Sequence, residues 1–198
     1  YGLQISICYT GMEQPLGNTA GLWCEIMESV DCLKVNGPDD VMSVVYHLGE
    51  QALRLAEISN PEKLLKDAIS DGSAFEKFSR MVSAHGGSIE SMDNPHILQP
   101  SFCKQVLAES VGYITAMNTL ELGRAVVQMG GGRLQKNDRL DYTAGIRFYH
   151  KVGASINIGD ILAEVFCSNE KKLNIGFTMV KNSFRIEYEK PCIRPLIY

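Results

Sequence analysis

Tyr9-Thr10-Gly11-Met12-Glu13-Gln14-Pro15-Leu16-Gly17 joins two different periodicities, and that junction sets the fold class. Upstream, Leu3, Ile5, Ile7 and Tyr9 alternate with Gln4, Ser6, Cys8 and Thr10, the two-residue period of a strand with one face more buried than the other. Downstream, from Ala20 to Asn36, Leu22, Trp23, Ile26, Met27, Val30 and Leu33 recur at helical spacing until Gly37-Pro38 stops the run. Pro15, Gly17 and Gly21 shape the turn between them. Such a turn is either a plain connection or a place where unpaired backbone groups meet a ligand. A strand needs neighbours for its backbone groups, and this one opens almost at the first residue, without a Met. The sequence therefore predicts a cut through a sheet, or a processed piece, with the strand and first helix incompletely covered.

Helices continue outward from the turn. Asp39 and Asp40 suit the positive end of a second helix, whose face is Val41, Val44, Val45, Leu48, Ala52, Leu55 and Ala56. Asn60 is read as the N-cap of a third, with Pro61 in its first turn and Leu64, Leu65, Ala68 and Ile69 as its buried stripe. Ser73 with Glu76 reads as a capping box for a fourth, closed by Gly86-Gly87. Gly86 to Pro100, rich in Gly, Ser, Asn, Asp and Pro, is the best boundary in the chain. Beyond it the pattern changes to short strands at Gln105–Ala108, Gly112–Met117, Gly145–Phe148, Ser155–Ile158, Ile161–Phe166 and Phe184–Tyr188. One helix opens at Asn118 or Thr119 and another covers Asn169 to Lys181. The architecture expected is a helical part of an α/β domain over 1–86, a linker over 87–104 and a small α+β domain over 105–198.

Composition narrows the function classes. The 198 residues are 45% hydrophobic and 21% charged, as in a globular protein. The net charge of −4 argues against a binder of nucleic-acid backbones, which needs an excess of Lys and Arg. No apolar run approaches the roughly 18 to 20 residues of a membrane-spanning helix, and no basic-then-apolar leader opens the chain. Six cysteines without a C-x-x-C pair read as reduced thiols in a cytoplasmic protein.

Few residues invite a chemical role. Gly130-Gly131-Gly132-Arg133-Leu134-Gln135-Lys136 invites a phosphate-loop reading but lacks the Walker and dinucleotide spacings, so it reads as a helix end and flexible turn. Asp138 and Asp141 read as a solvated loop leading into a strand. His47, His85, His96 and His150 have no metal-ligand spacing, and no G-x-S-x-G elbow occurs.

The order of these motifs resembles the thymidine and pyrimidine-nucleoside phosphorylase family. Its pattern of T-D/G-M, then Q-P-L-G, then a G-N-A-L-E-V helix, then G-A/G-G-R and D-x-I-D-x-x-V-G-I is met by Tyr9 to Gly17, Gly130 to Arg133 and Asp138 to Gly145. Asp71 to Phe78 and Arg194 to Tyr198 extend the likeness over nearly the whole chain. The resemblance implies the C-terminal portion of such an enzyme, a helical part of its α/β domain followed by a barrel-sandwich-like α+β domain. The family's phosphate loop and base-gripping residues lie upstream, so no catalytic residue is expected in this chain, which should be inactive alone. Carried over residue by residue, Leu16, Thr19 and Glu28 would help hold a monovalent cation such as potassium. Gly131, Gly132, Arg133 and Lys136 would form a lid loop. The family departs at Gly21-Leu22-Trp23-Cys24-Glu25-Ile26, where Leu22 replaces a polar Asn.

The implied partners are a pyrimidine nucleoside, inorganic phosphate as co-substrate and the missing N-terminal portion, with the complete enzyme a homodimer and neither nucleic acid nor membrane involved. Two alternatives remain. An AMP-type nucleoside-monophosphate phosphorylase would share this half. A non-catalytic binding or carrier module of the lipoyl kind would need a Lys at a hairpin tip, and Ile114 to Thr119 has none.

Overall fold

A computed structural model describes residues 2–93 and 97–198. It is a mixed chain in which helices come first and strands later. β1 (Thr19–Gly21) and α1 (Trp23–Leu33) are followed by α2 (Asp39–Leu55), α3 (Pro61–Ser70), α4 (Ser73–Ala84) and the short α5 (Glu90–Asp93). Then come β2 (Phe102–Leu107), β3 (Gly112–Met117), α6 (Thr119–Val126), β4 (Gly145–Phe148), β5 (Ser155–Ile156), β6 (Ile161–Cys167), α7 (Glu170–Lys181) and β7 (Phe184–Glu187). Two compact units result, one of residues 1–11, 27–95 and 195–198, the other of 12–26 and 96–194. Part of the Gly86–Pro100 stretch, including His96, lies outside the described residues.

The second unit is two antiparallel sheets, ordered β1-β4-β6-β2 and β5-β3-β7. β6 sits between β4 and β2 and is buried along most of its length, as its run Leu162-Ala163-Glu164-Val165-Phe166 requires. Val106, Ile114, Leu122, Met129, Ile146, Ile156, Val165 and Val180 form one core with almost no exposure. Burying each such side chain contributes about 1.5–3 kcal/mol against the entropy of ordering the chain. Asn118 and Asn169 cap α6 and α7, accepting from the Glu121 and Lys172 amides at 3.2 and 3.0 Å.

The first unit is helical and thinly cored. Val30, Cys32, Val44 and Met92 are buried, whereas α3 and α4 bury no residue completely. Gly49 lets α2 approach α3, since a Cβ there would stand 3.1 Å from Leu65 Cδ1. α4 ends as the Gly86-Gly87 pair predicts: Gly86 is left-handed, and the Gly86 and Gly87 amides bond the Ser83 and Val82 carbonyls.

Four local expectations are corrected. Residues 3–9 form no strand; Leu3, Ile5, Ile7 and Tyr9 are all more than two-thirds exposed, and pairing is confined to the Thr10–Ile197 bridge. Alternation supplies the side-chain pattern, but a strand also needs a ladder partner. The run from Ala20 begins as strand β1 before turning helical, because Ala20 and Gly21 pair with Ile146 and Gly145. Asn60 precedes α3 in a left-handed conformation and its side chain makes no cap bond; helix-capping geometry needs an extended residue there. The Ser73–Glu76 capping box does not form, since Gly72 takes the cap position and the Ser73 amide donates to Asp71 Oδ1 at 2.9 Å.

Candidate functional site

The turn after Thr10 is held by the loop that leaves β4. Phe148 N–H donates to the Asn18 carbonyl at 2.8 Å, and Val152 N–H to Gln14 Oε1 at 2.8 Å. Between these two contacts the Lys151 ammonium donates to the Pro15 carbonyl at 2.5 Å and to the Gly17 carbonyl. Gln14 and Pro15 thus act in tertiary structure, one through its amide side chain and one through its carbonyl. Sequence reading missed Lys151. Its partners lie 136 and 134 residues away, and a lone Lys in the loop between β4 and β5 carries no local signal.

Leu16 and Thr19 lie on this turn within the second unit, whereas Glu28 stands half-buried on α1 in the first. Thr19 Oγ1 is buried and has no hydrogen-bond partner among the described residues. Hydroxyl and carbonyl oxygens are the donor type a hard monovalent cation accepts, and two carbonyls of this turn, Pro15 and Gly17, already receive the Lys151 ammonium. Glu25, one turn into α1, reaches back and accepts the Gly21 N–H at 2.7 Å.

The glycine-rich loop follows α6. A π-helical turn over Val127–Gly131 ends the helix, and Gly130 has φ +107°, a conformation open to glycine and strained for other residues. Gly131 and Gly132 pack on the preceding turn: a Cβ on either would come within 2.7 Å of the Val126 or Val127 methyls. Arg133 and Lys136 are exposed.

Asp138 and Asp141 are not the solvated pair that their spacing suggests. Asp138 Oδ2 accepts the Leu134 and Gln135 amides at 3.0 and 2.9 Å and so closes the loop on itself. Asp141 accepts from Thr143 N–H and Oγ1 and from Ser168 N–H and Oγ, at 2.6–3.2 Å. Burial pushes its carboxyl up, but the Thr143 and Ser168 hydrogen bonds outweigh that and leave it below the ordinary aspartate value. A carboxylate so fully supplied with donors is a structural anchor rather than a general base. Beside it opens a cleft of about 380 Å³ lined by Met129, Arg139, Thr143, Asn169 and Lys172, among others. Among the described residues no three His, Cys, Asp or Glu side chains gather as a metal cluster would require. No described helix is long and apolar enough to cross a membrane.

Residues 113–187, from β3 to β7, match the pyrimidine nucleoside phosphorylase C-terminal domain. The chain is 30% identical to a thymidine phosphorylase of Metamycoplasma hominis over 83% of its own length and 62% of the relative's. It is 32% identical to a pyrimidine-nucleoside phosphorylase of Staphylococcus haemolyticus, covering 94% of this chain and 43% of that protein. A third relative, the pyrimidine-nucleoside phosphorylase of Staphylococcus epidermidis, is 36% identical over 89% of this chain and 42% of its own. The chain is thus related to the thymidine and pyrimidine-nucleoside phosphorylases and resembles their C-terminal portion. It spans between two-fifths and two-thirds of the length of these relatives.

Proposed function

We propose that this chain is the C-terminal portion of a pyrimidine-nucleoside phosphorylase acting in the cytoplasm as a homodimer. In the proposed reaction phosphate oxygen bonds to the anomeric carbon as the bond from that carbon to the pyrimidine nitrogen breaks. The departing base keeps the bonding pair and takes a proton, leaving free base and (deoxy)ribose 1-phosphate. The sugar gains oxocarbenium character on the way, so positioning and electrostatics carry most of the rate. The observation that carries the reading is the similarity to phosphorylases over 83–94% of the chain in the three relatives described.

In this reading the groups that grip phosphate and base lie outside the chain. The first unit contributes the helical part of an α/β domain and the second a barrel-sandwich-like domain. Leu16 and Thr19 on the turn, with Glu28 on α1, would help hold a monovalent cation such as potassium. The lid loop of Gly131, Gly132, Arg133 and Lys136 would bend at its glycines and bring cationic side chains to an anionic ligand. Support comes from the kink at Gly130 and from the exposure of Arg133 and Lys136.

The test is phosphate-dependent release of thymine or uracil from thymidine and uridine, by the chain alone and after adding a matching N-terminal portion. Release only in the mixture is the expected result. Release by the chain alone overturns the placement of the catalytic groups. None from a folded, associated mixture overturns the phosphorylase reading, and release of base from a nucleoside monophosphate instead redirects it to the AMP-type branch.

A further inference from the structure

We propose that Lys151 is the permanent cation of the Gln14–Asn18 turn, a positioning residue whose ammonium orders that turn within this chain without a bound ion. The ammonium meets two carbonyls of one turn, Pro15 and Gly17, which are separated by a single residue. Two carbonyls converging on one positive centre is the arrangement by which backbone binds small monovalent cations, and an ammonium differs in directing its charge along three N–H bonds. The site is built for it. Gly17 is buried and has φ +72°, and Lys151 is half-buried, its stem laid down by a loop held on both sides by Phe148 N–H to Asn18 and Val152 N–H to Gln14.

The arrangement also explains why a turn whose Pro15 and Gly17 carbonyls converge can close. Carbonyl dipoles that converge repel one another unless positive charge stands between them. Hydrogen bonds to a charged donor are stronger than neutral ones, and a tethered donor loses less freedom on binding than an ion taken from solution. Leu16, whose carbonyl lies between the two that Lys151 engages, and Thr19, just beyond, therefore have their course set by Lys151. This holds whether or not the complete protein carries out phosphorolysis.

The experiment uses the 198-residue chain. Lys151→Met keeps the apolar stem and removes the charge. It should lower the thermal midpoint by about 4–8 °C, the shift expected for loss of a charge-assisted contact in a chain of this size. Methylammonium or potassium should recover half or more of that loss, while choline at the same ionic strength should not, and the unsubstituted chain should respond to none of them. An unchanged midpoint, or a loss that choline restores as well as methylammonium, overturns the proposal.

Should Lys151→Met not fold, lysine side-chain nitrogen NMR of the unsubstituted chain gives the answer directly. An ammonium held by two carbonyls yields a slowly exchanging cross-peak, assigned by its loss in Lys151→Arg. No such peak for Lys151 overturns the proposal. Both readouts are independent of nucleoside turnover, so they can fail while the phosphorylase reading stands, and the reverse.

Discussion

Asp141 and Ser168 are 27 residues apart in sequence and meet through a 2.6 Å hydrogen bond from the Ser168 amide to Asp141 Oδ2. The contact ties the segment leading into β4 to the residue that follows β6, and these two strands are neighbours in the four-stranded sheet.

Asp141→Asn should destabilise the chain by roughly 2 kcal/mol at neutral pH, because an amide offers one acceptor oxygen where the carboxylate serves four donors. The pH dependence follows from the direction of its titration. Since the folded carboxyl sits below its ordinary value of 3.8, its contribution is fully present above the unfolded value and is lost as pH falls through the folded one. Denaturant melts from pH 7 downward should therefore show the difference between the two proteins shrinking below about pH 4. A difference that stays constant to the lowest pH would remove Asp141 as the cause.

Val35 holds the left-handed position after α1, with φ +69°, while its amide and that of Asn36 bond the Cys32 and Asp31 carbonyls. A β-branched side chain is strained there, and glycine is the usual occupant. Val35→Gly should raise stability by about 0.5–1 kcal/mol, the relief of strain being partly offset by the freer unfolded chain. Val35 is 64% exposed, so little packing is lost. A fall in the denaturation midpoint would contradict this.

Gly21 faces Gly145 across the β1–β4 ladder. A Cβ on Gly21 would lie 2.6 Å from the Ala144 carbonyl oxygen and 2.8 Å from Gly145 Cα, backbone atoms that cannot rotate away. Gly21→Ala should destabilise by about 1–3 kcal/mol and speed exchange of the β1 amides. Gly123→Ala, which meets nothing within 4 Å, is the matched control and should be neutral or mildly stabilising.

If the proposed lid role holds, Arg133→Ala and Lys136→Ala, made in the longer protein of the proposed function, should each raise KM by roughly fivefold, the size of an exposed ionic contact worth up to about 1 kcal/mol. Thermal stability should not change, because both side chains are exposed. A large fall in kcat with KM unchanged would assign them a role in the transition state instead of loop closure.

Much of the second unit was legible because its signals are local. Gly112–Met117 and Gly145–Phe148 are strands over the residues their patterns mark, and Asn118 and Asn169 cap the helices they precede. Caps, turns and alternation act within a few residues, so sequence order displays them. The glycine-rich loop was likewise visible as a helix end, although the kink at Gly130 required the backbone itself.

What sequence alone determined, then, is the kind and order of most elements and the family that their motifs resemble. Tertiary structure decided which polar groups meet: Lys151 with Pro15 and Gly17, and Asp141 with Ser168. It also decided that 3–9 forms no strand while Thr19–Gly21 becomes one. The reason is physical. Side-chain period is a property of a segment, but a ladder partner or a buried counter-charge comes from residues far along the chain, and only folding brings those into reach.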